Sequence, residues 1–81
     1  MTISAARSVE QIKHQIMVKE VANIVIRQYE AEESMLLEDL ELAQPLSKQS
    51  IKDVVAYLNK RSLFVSPSYH QGTFRGFVRT A

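Results

Sequence analysis

The sequence contains no cysteine, which excludes disulfides, thiolate metal sites and a cysteine nucleophile. Any added stabilisation must therefore come from helix packing or from a partner chain. No apolar run approaches the roughly 18 residues that span a bilayer, and the first residues lack the charged-then-apolar layout of a secretory signal. With only two glycines and two prolines, the chain also lacks the composition of a disordered or fibrous protein. We expect a soluble, cytoplasmic protein without membrane contact.

The proportions of hydrophobic and charged residues are those of a small folded domain. The chain has 81 residues, of which 46% are hydrophobic and 23% charged. This length is about half that of a typical domain, which excludes a two-domain enzyme. No internal repeat, low-complexity tract or linker divides the chain. We therefore expect one cooperative domain over residues 1–81.

Charge is unevenly distributed along the chain. The net charge is only +1, but residues 1–29 carry +2, residues 30–42 carry −6 and residues 43–81 carry +5. A basic surface attracts polyanions even when the whole molecule is nearly neutral. The alternative is that the acidic and basic segments solvate their own faces or pair with each other in the fold.

Residue types used in catalysis and metal binding are sparse. His14 and His70 lie 56 positions apart, and no cluster of acids stands beside either. There is no glycine-rich phosphate loop and no nucleophile elbow, and the acids of residues 30–41 lack the spacing of a calcium loop. We expect no enzymatic activity, no catalytic residue, no metal, no cofactor and no small-molecule ligand. We also expect His14 to be a solvated surface side chain and His70 a loop residue.

A first helix is predicted over about residues 8–30. Ser8 and Gln11 have the spacing of a capping box, and no glycine or proline interrupts the segment as far as Tyr29. At 100° per residue this helix has two apolar stripes on roughly opposite sides. The first stripe consists of Val9, Ile12 and Ile16, and the second of Val18, Val21, Ala22, Val25 and Tyr29.

One straight helix cannot press both stripes on the same core. We expect the second stripe to pack inside the domain. The first stripe then needs a second copy of the chain or another partner, which makes residues 1–17 an N-terminal dimerisation or partner-binding extension. The alternative is a break near Met17 that lets both stripes reach one core.

Two further helices are predicted, over about residues 34–43 and 47–60. Ser34 is the expected cap of the second, which must end before Pro45. Ser47 is the expected cap of the third, with Leu46 and Ile51 placed as a hydrophobic staple, and Ser50 offers a competing start. The third helix has one narrow apolar stripe. Its outer arc is basic and rich in amides: Lys48, Gln49, Lys52, Ala56, Asn59 and Lys60.

After the third helix the hydrophobic period changes from 3.6 to 2, which predicts a β-hairpin. Its strands are expected at about residues 63–66 and 73–79, with a polar loop from Ser66 to Gly72 between them. Simple alternation places Phe74 and Val78 on one face of the returning strand. Phe77 then lies on the other face, exposed and flanked by two arginines.

The order of elements resembles the winged helix-turn-helix superfamily. The resemblance depends on the segment Leu46-Ser47-Lys48-Gln49-Ser50-Ile51 followed by Leu58, on Leu63-Phe64-Val65, and on Gly72-Thr73-Phe74-Arg75-Gly76-Phe77-Val78. It covers about residues 18–80 as a pattern of residue classes and identifies no specific family. It implies an α+β fold, a small winged helix of three helices and a C-terminal hairpin wing.

The resemblance also implies a DNA-binding surface. It places Ser47, Lys48, Gln49, Ser50 and Lys52 on the groove-facing side of a recognition helix, and Tyr69, His70, Arg75 and Arg79 on the wing. Lysine and arginine neutralise phosphates, glutamine can read an adenine edge, and a helix fits the major groove.

Two functions are therefore open. The first is a small transcriptional regulator that binds double-stranded DNA as a homodimer, paired through Val9, Ile12 and Ile16. The alternative is a protein–protein interaction module or adaptor on the same fold, because an acidic second helix would repel phosphates and the first stripe of the first helix needs a partner.

Overall fold

The computed structural model describes the backbone of residues 3–80 and the side chains of residues 9–80. Three helices are followed by an antiparallel hairpin, so the predicted α+β class and element order are confirmed. The elements are α1 Ile3–Glu30, α2 Leu37–Leu40, α3 Lys48–Lys60, β1 Val65–His70 and β2 Thr73–Arg79. Within residues 3–80, no helix is both long and apolar enough to cross a membrane.

α1 is one continuous helix of 28 residues that begins earlier than predicted. Because it has no break near Met17, its two apolar stripes face different surroundings. Val18, Val21, Ala22 and Val25 are all buried, whereas Val9, Ile12 and Ile16 are each more than half exposed. The expectation that only the second stripe packs inside the domain is confirmed.

α2 is a single turn, shorter than the predicted 34–43. Ser34 does not cap it, because the Ser34 hydroxyl accepts from the backbone N–H of Leu36, the residue that precedes the helix. The segment before α2 is instead paired with the hairpin. Leu36 forms an isolated antiparallel bridge with Gly76, and the Phe77 N–H donates to the Met35 carbonyl at 3.0 Å. Because of this pairing, residues that could have belonged to a longer α2 keep a β conformation.

α3 agrees with the prediction. The Ser47 hydroxyl accepts from the Ser50 N–H at 3.1 Å, which satisfies an otherwise orphan donor of the first turn. The apolar stripe of α3 is buried at Ile51, Val54 and Leu58. This stripe packs on α1 and β1.

The hairpin turn is much tighter than the predicted seven-residue loop. β1 continues to His70, and the turn has only two residues, Gln71 and Gly72, with φ of 52° and 81°. Positive φ at both positions matches a type I′ turn, whose twist suits a hairpin. The serines and proline of β1 have the composition of a loop, which is why the first strand was predicted at about residues 63–66 and not as far as His70.

A β-bulge changes which side chains of β2 face the core. Ser68 pairs with Gly76 and Tyr69 pairs with Phe74, so Arg75 is the extra residue. One inserted residue shifts the alternation and brings Phe74 and Phe77 to the same side, with ring centroids 5.3 Å apart. Phe77 is only 1% exposed. The prediction of an exposed Phe77 between two arginines is therefore wrong.

Candidate nucleic-acid interface

The outer arc of α3 carries three exposed lysines: Lys48, Lys52 and Lys60. Among the described side chains, none of these lysines has a carboxylate oxygen within 4.0 Å. The lysines follow one side of the helix because the opposite side is committed to the core at Ile51 and Leu58. The arc therefore presents to solvent positive charge that forms no close ion pair within the described side chains.

The two serines at the start of α3 have structural roles. Ser47 caps the helix, and its hydroxyl also donates to the Ser50 hydroxyl at 3.0 Å. Ser50 is 5% exposed and lies on the inner side of α3. The predicted groove-facing position of Ser50 thus differs from its observed position, whereas Ser47 stays at the exposed entrance to the helix.

The one acid of α3 is engaged by α1. Asp53 Oδ2 lies 2.5 Å from His14 Nε2, and Asp53 Oδ1 accepts from the Gln49 side-chain amide at 3.0 Å. The expectation of a solvated His14 is wrong, because α1 passes close enough to α3 for the two side chains to meet across 39 positions of sequence. The hydrogen bond from His14 is the largest influence and holds the pKa of Asp53 below its ordinary value of 3.8. Desolvation, the next largest, opposes this shift, and the hydrogen bond from Gln49 adds to it.

The Asp53 contact predicts a dependence of stability on pH. A carboxylate whose pKa is lower in the folded chain than in the unfolded chain stabilises the fold above about pH 4, and this contribution is lost as the pH falls through the folded pKa. We expect Asp53→Asn to lower the Tm by a few degrees at pH 6 and by less at pH 2.5, because the contribution of the carboxylate falls with pH below its unfolded pKa. Thermal unfolding followed by circular dichroism measures both, with Glu33→Gln in the exposed turn after α1 as the control. An equal Tm loss at both pH values would contradict the assignment.

The hairpin and α3 share a groove of about 390 Å³. Pro67 and Tyr69 of β1 form one wall, and Lys52, Val55 and Asn59 belong to the other. The Tyr69 ring is 52% exposed and meets the ring of Phe74 edge-on, with centroids 5.8 Å apart. An exposed aromatic ring is thereby placed in the same groove as Lys52.

Asn59 fixes the position of β1 relative to α3. Its side-chain oxygen accepts from the Val65 N–H at 3.3 Å. Since alternate residues of a strand direct their N–H groups to the same side, Pro67 stands where β1 would next present a donor, and proline has none. The free edge of β1 therefore offers no unpaired donor at Val65 or Pro67. Asn59 and Pro67 had been predicted only as an outer-arc residue and a loop residue.

The arginines of residues 43–81 are each engaged within the chain, unlike the lysines. Arg61 stacks 3.6 Å from the Tyr57 ring centroid. Arg75, on the bulge, lies 3.8 Å from a Glu38 oxygen, with both side chains about half exposed or more. Arg79 stacks on Tyr29 with its guanidinium 3.8 Å from the ring centroid and donates to the Tyr29 carbonyl at the end of α1.

The structure therefore does not bring all residues of the predicted site together. The structure brings Lys52 together with Tyr69 in one groove, with Lys48 one helical turn before Lys52, and it places the exposed His70 next to the hairpin turn. Arg75 instead faces the acidic α2, and Arg79 faces the end of α1.

Within the described side chains, no group of three or more histidine, aspartate or glutamate residues is arranged to hold a metal ion.

Comparisons of the chain with protein-family models, with curated proteins and with solved structures give no match.

Proposed function

We propose that this chain is a small winged-helix protein that binds double-stranded DNA and acts as a transcriptional regulator. The element order supports the winged-helix assignment, as does the bridge between Leu36 and Gly76, which adds a one-residue third strand before α2. The hairpin also packs along α3, as a wing beside a recognition helix would.

The observation that carries the proposal is the basic arc of α3 beside an exposed tyrosine. Lys48 and Lys52 are one helical turn apart on the exposed side, and Lys52 shares the groove with Tyr69. Lysines on a helix edge neutralise phosphates and release counterions, which supplies most of the sequence-independent affinity for DNA. The carboxylate nearest to them in sequence, Asp53, is already bound by His14 and Gln49.

Each side chain of the surface has a distinct proposed role. Lys48 and Lys52 contact phosphates along one side of a groove, while Gln49 reads a base edge once its amide leaves Asp53. Tyr69 and His70 contact the sugar-phosphate backbone from the hairpin. Arg75 takes part when DNA phosphates compete for it with the exposed Glu38.

The position of the bound DNA tests the proposal. In an amide NMR titration with a mixed-sequence duplex at about 50 mM salt, we expect the largest shifts along Lys48–Lys60 and at residues 66–72. We expect small shifts at Glu38 and Asp39, because acidic side chains stay away from phosphates. Shifts concentrated on α2, or no shifts at protein excess, would contradict the proposal.

A protein-binding module on the same fold is the second candidate. Two observations favour it: Glu38 compensates Arg75, and the first stripe of α1 is exposed. An adaptor would co-purify in fixed stoichiometry with a different protein and would show no duplex binding in the same titration.

A further inference from the structure

The outward face of α1 combines apolar side chains with three exposed charged residues, Lys13, Glu20 and Arg27. At 100° per residue, Val9, Lys13, Ile16, Glu20 and Ile24 fall within about 80° of one another. Val9 is 56% exposed and Ile16 is 51% exposed. Lys13 and Glu20 are also exposed, and neither forms an ion pair with a described side chain.

A groove of about 340 Å³ runs beside the C-terminal part of this face. Met17, Val21 and Ile24 of α1 form one wall, and the segment 42–46 forms the other. The walls are mainly apolar, and Glu20 lies at the rim. The exposed face and the groove are continuous through Met17 and Ile24.

We propose that a second copy of the chain packs antiparallel on this face, with the twofold axis passing between Ile16 and Met17. In that register, two residues that lie at the same level along the paired helices have numbers that add to 33. Lys13 therefore meets the partner's Glu20, and Glu20 meets the partner's Lys13. Val9 reaches the height of the partner's Ile24, at the groove.

The charge pattern is what selects this partner and this register. Lys13 and Glu20 are seven residues apart, about 10.5 Å along the axis, so they lie on one face but cannot pair within a chain. An antiparallel copy in this register pairs Lys13 and Glu20 of both chains at once. A shift by one helical turn would place Lys13 opposite apolar side chains, at the cost of a desolvated charge.

The contact also meets the size requirement better than the stripe alone. Val9, Ile12 and Ile16 are half covered already, and three such side chains expose far less than the roughly 800 Å² per partner of a stable interface. Adding Met17, Ile24 and the groove enlarges the apolar area that each partner buries. This dimer does not depend on what α3 binds.

Charge reversal tests the register. Analytical ultracentrifugation of the original chain should give a mass about twice 9.2 kDa. Lys13→Glu and Glu20→Lys should each weaken dimerisation by about tenfold or more, because each replaces two attractive contacts with two repulsive ones. An equimolar mixture of the two variants should regain a dimer of near-original affinity, since every contact in the mixed pair is again attractive.

The mixture separates the proposal from simple loss of folding. Both substituted side chains are exposed, so circular dichroism should be unchanged, and Glu33→Lys in the turn after α1 should dimerise normally. A monomeric original chain at about 100 μM, undiminished dimerisation of either single variant, or a mixture that stays monomeric would each overturn the proposed pairing.

Discussion

Gly76→Ala is expected to cost the fold about 3 kcal/mol or more. A Cβ at this position would lie 2.6 Å from the Leu36 Cα and 2.6 Å from the Met35 carbonyl oxygen, both backbone atoms that a rotamer change cannot move. The φ of 127° is also one that L side chains rarely adopt. Separation of the 35–36 segment from β2 would relieve the clash, but it would sacrifice the hydrogen bond from the Phe77 N–H to Met35.

Gly72→Ala provides the matched control for this prediction. Gly72 has a φ of 81° in the hairpin turn, but nothing lies within 4 Å of an added Cβ. Its cost should be only the backbone strain, about 1–2 kcal/mol. Urea unfolding gives both values. Equal losses at the two glycines would contradict a steric role for the contact between Gly76 and Leu36.

The second large effect is expected on DNA affinity. Lys48→Glu combined with Lys52→Glu should weaken duplex binding by about 100-fold at low salt and reduce the slope of log affinity against log salt by about 2. Both side chains are exposed, so the stability of the fold should change by no more than about 0.5 kcal/mol. Fluorescence anisotropy with a labelled duplex measures the affinity.

A control variant separates local contact from net charge. Lys19→Glu changes the net charge as much as Lys52→Glu does, but Lys19 lies on α1, away from α3. We expect Lys19→Glu to retain most of the duplex affinity that Lys52→Glu loses. Equal losses would mean that overall charge, and not the α3 surface, determines binding.

The helices could be predicted wherever a cap and an apolar stripe agreed. Ser47 marked the start of α3 because its side chain satisfies a donor of the same turn, which is a local interaction. Ser34 suggested a start for α2 in the same way. That prediction was wrong because residues 35–36 pair with β2, and the partner, Gly76, is 40 positions from Leu36.

The candidate site was predictable on α3 and much less so on the hairpin. A bulge at Arg75 changes which side chains of β2 face the core, and no residue type in the sequence predicts this bulge. The partners of Arg79 and His14 are likewise distant, at Tyr29 and Asp53. Such contacts depend on how α1 crosses the domain, which periodicity alone does not determine.

The affinity of the original chain for a mixed-sequence duplex, measured from about 50 to 300 mM salt, tests the central claim most directly. With the lysines of α3 and the hairpin meeting several phosphates, log affinity should fall linearly with log salt, with a slope of about −0.9 for each phosphate neutralised. Absence of binding at about 50 mM salt, or an affinity that does not change with salt, would contradict the claim that the outer arc of α3 binds DNA.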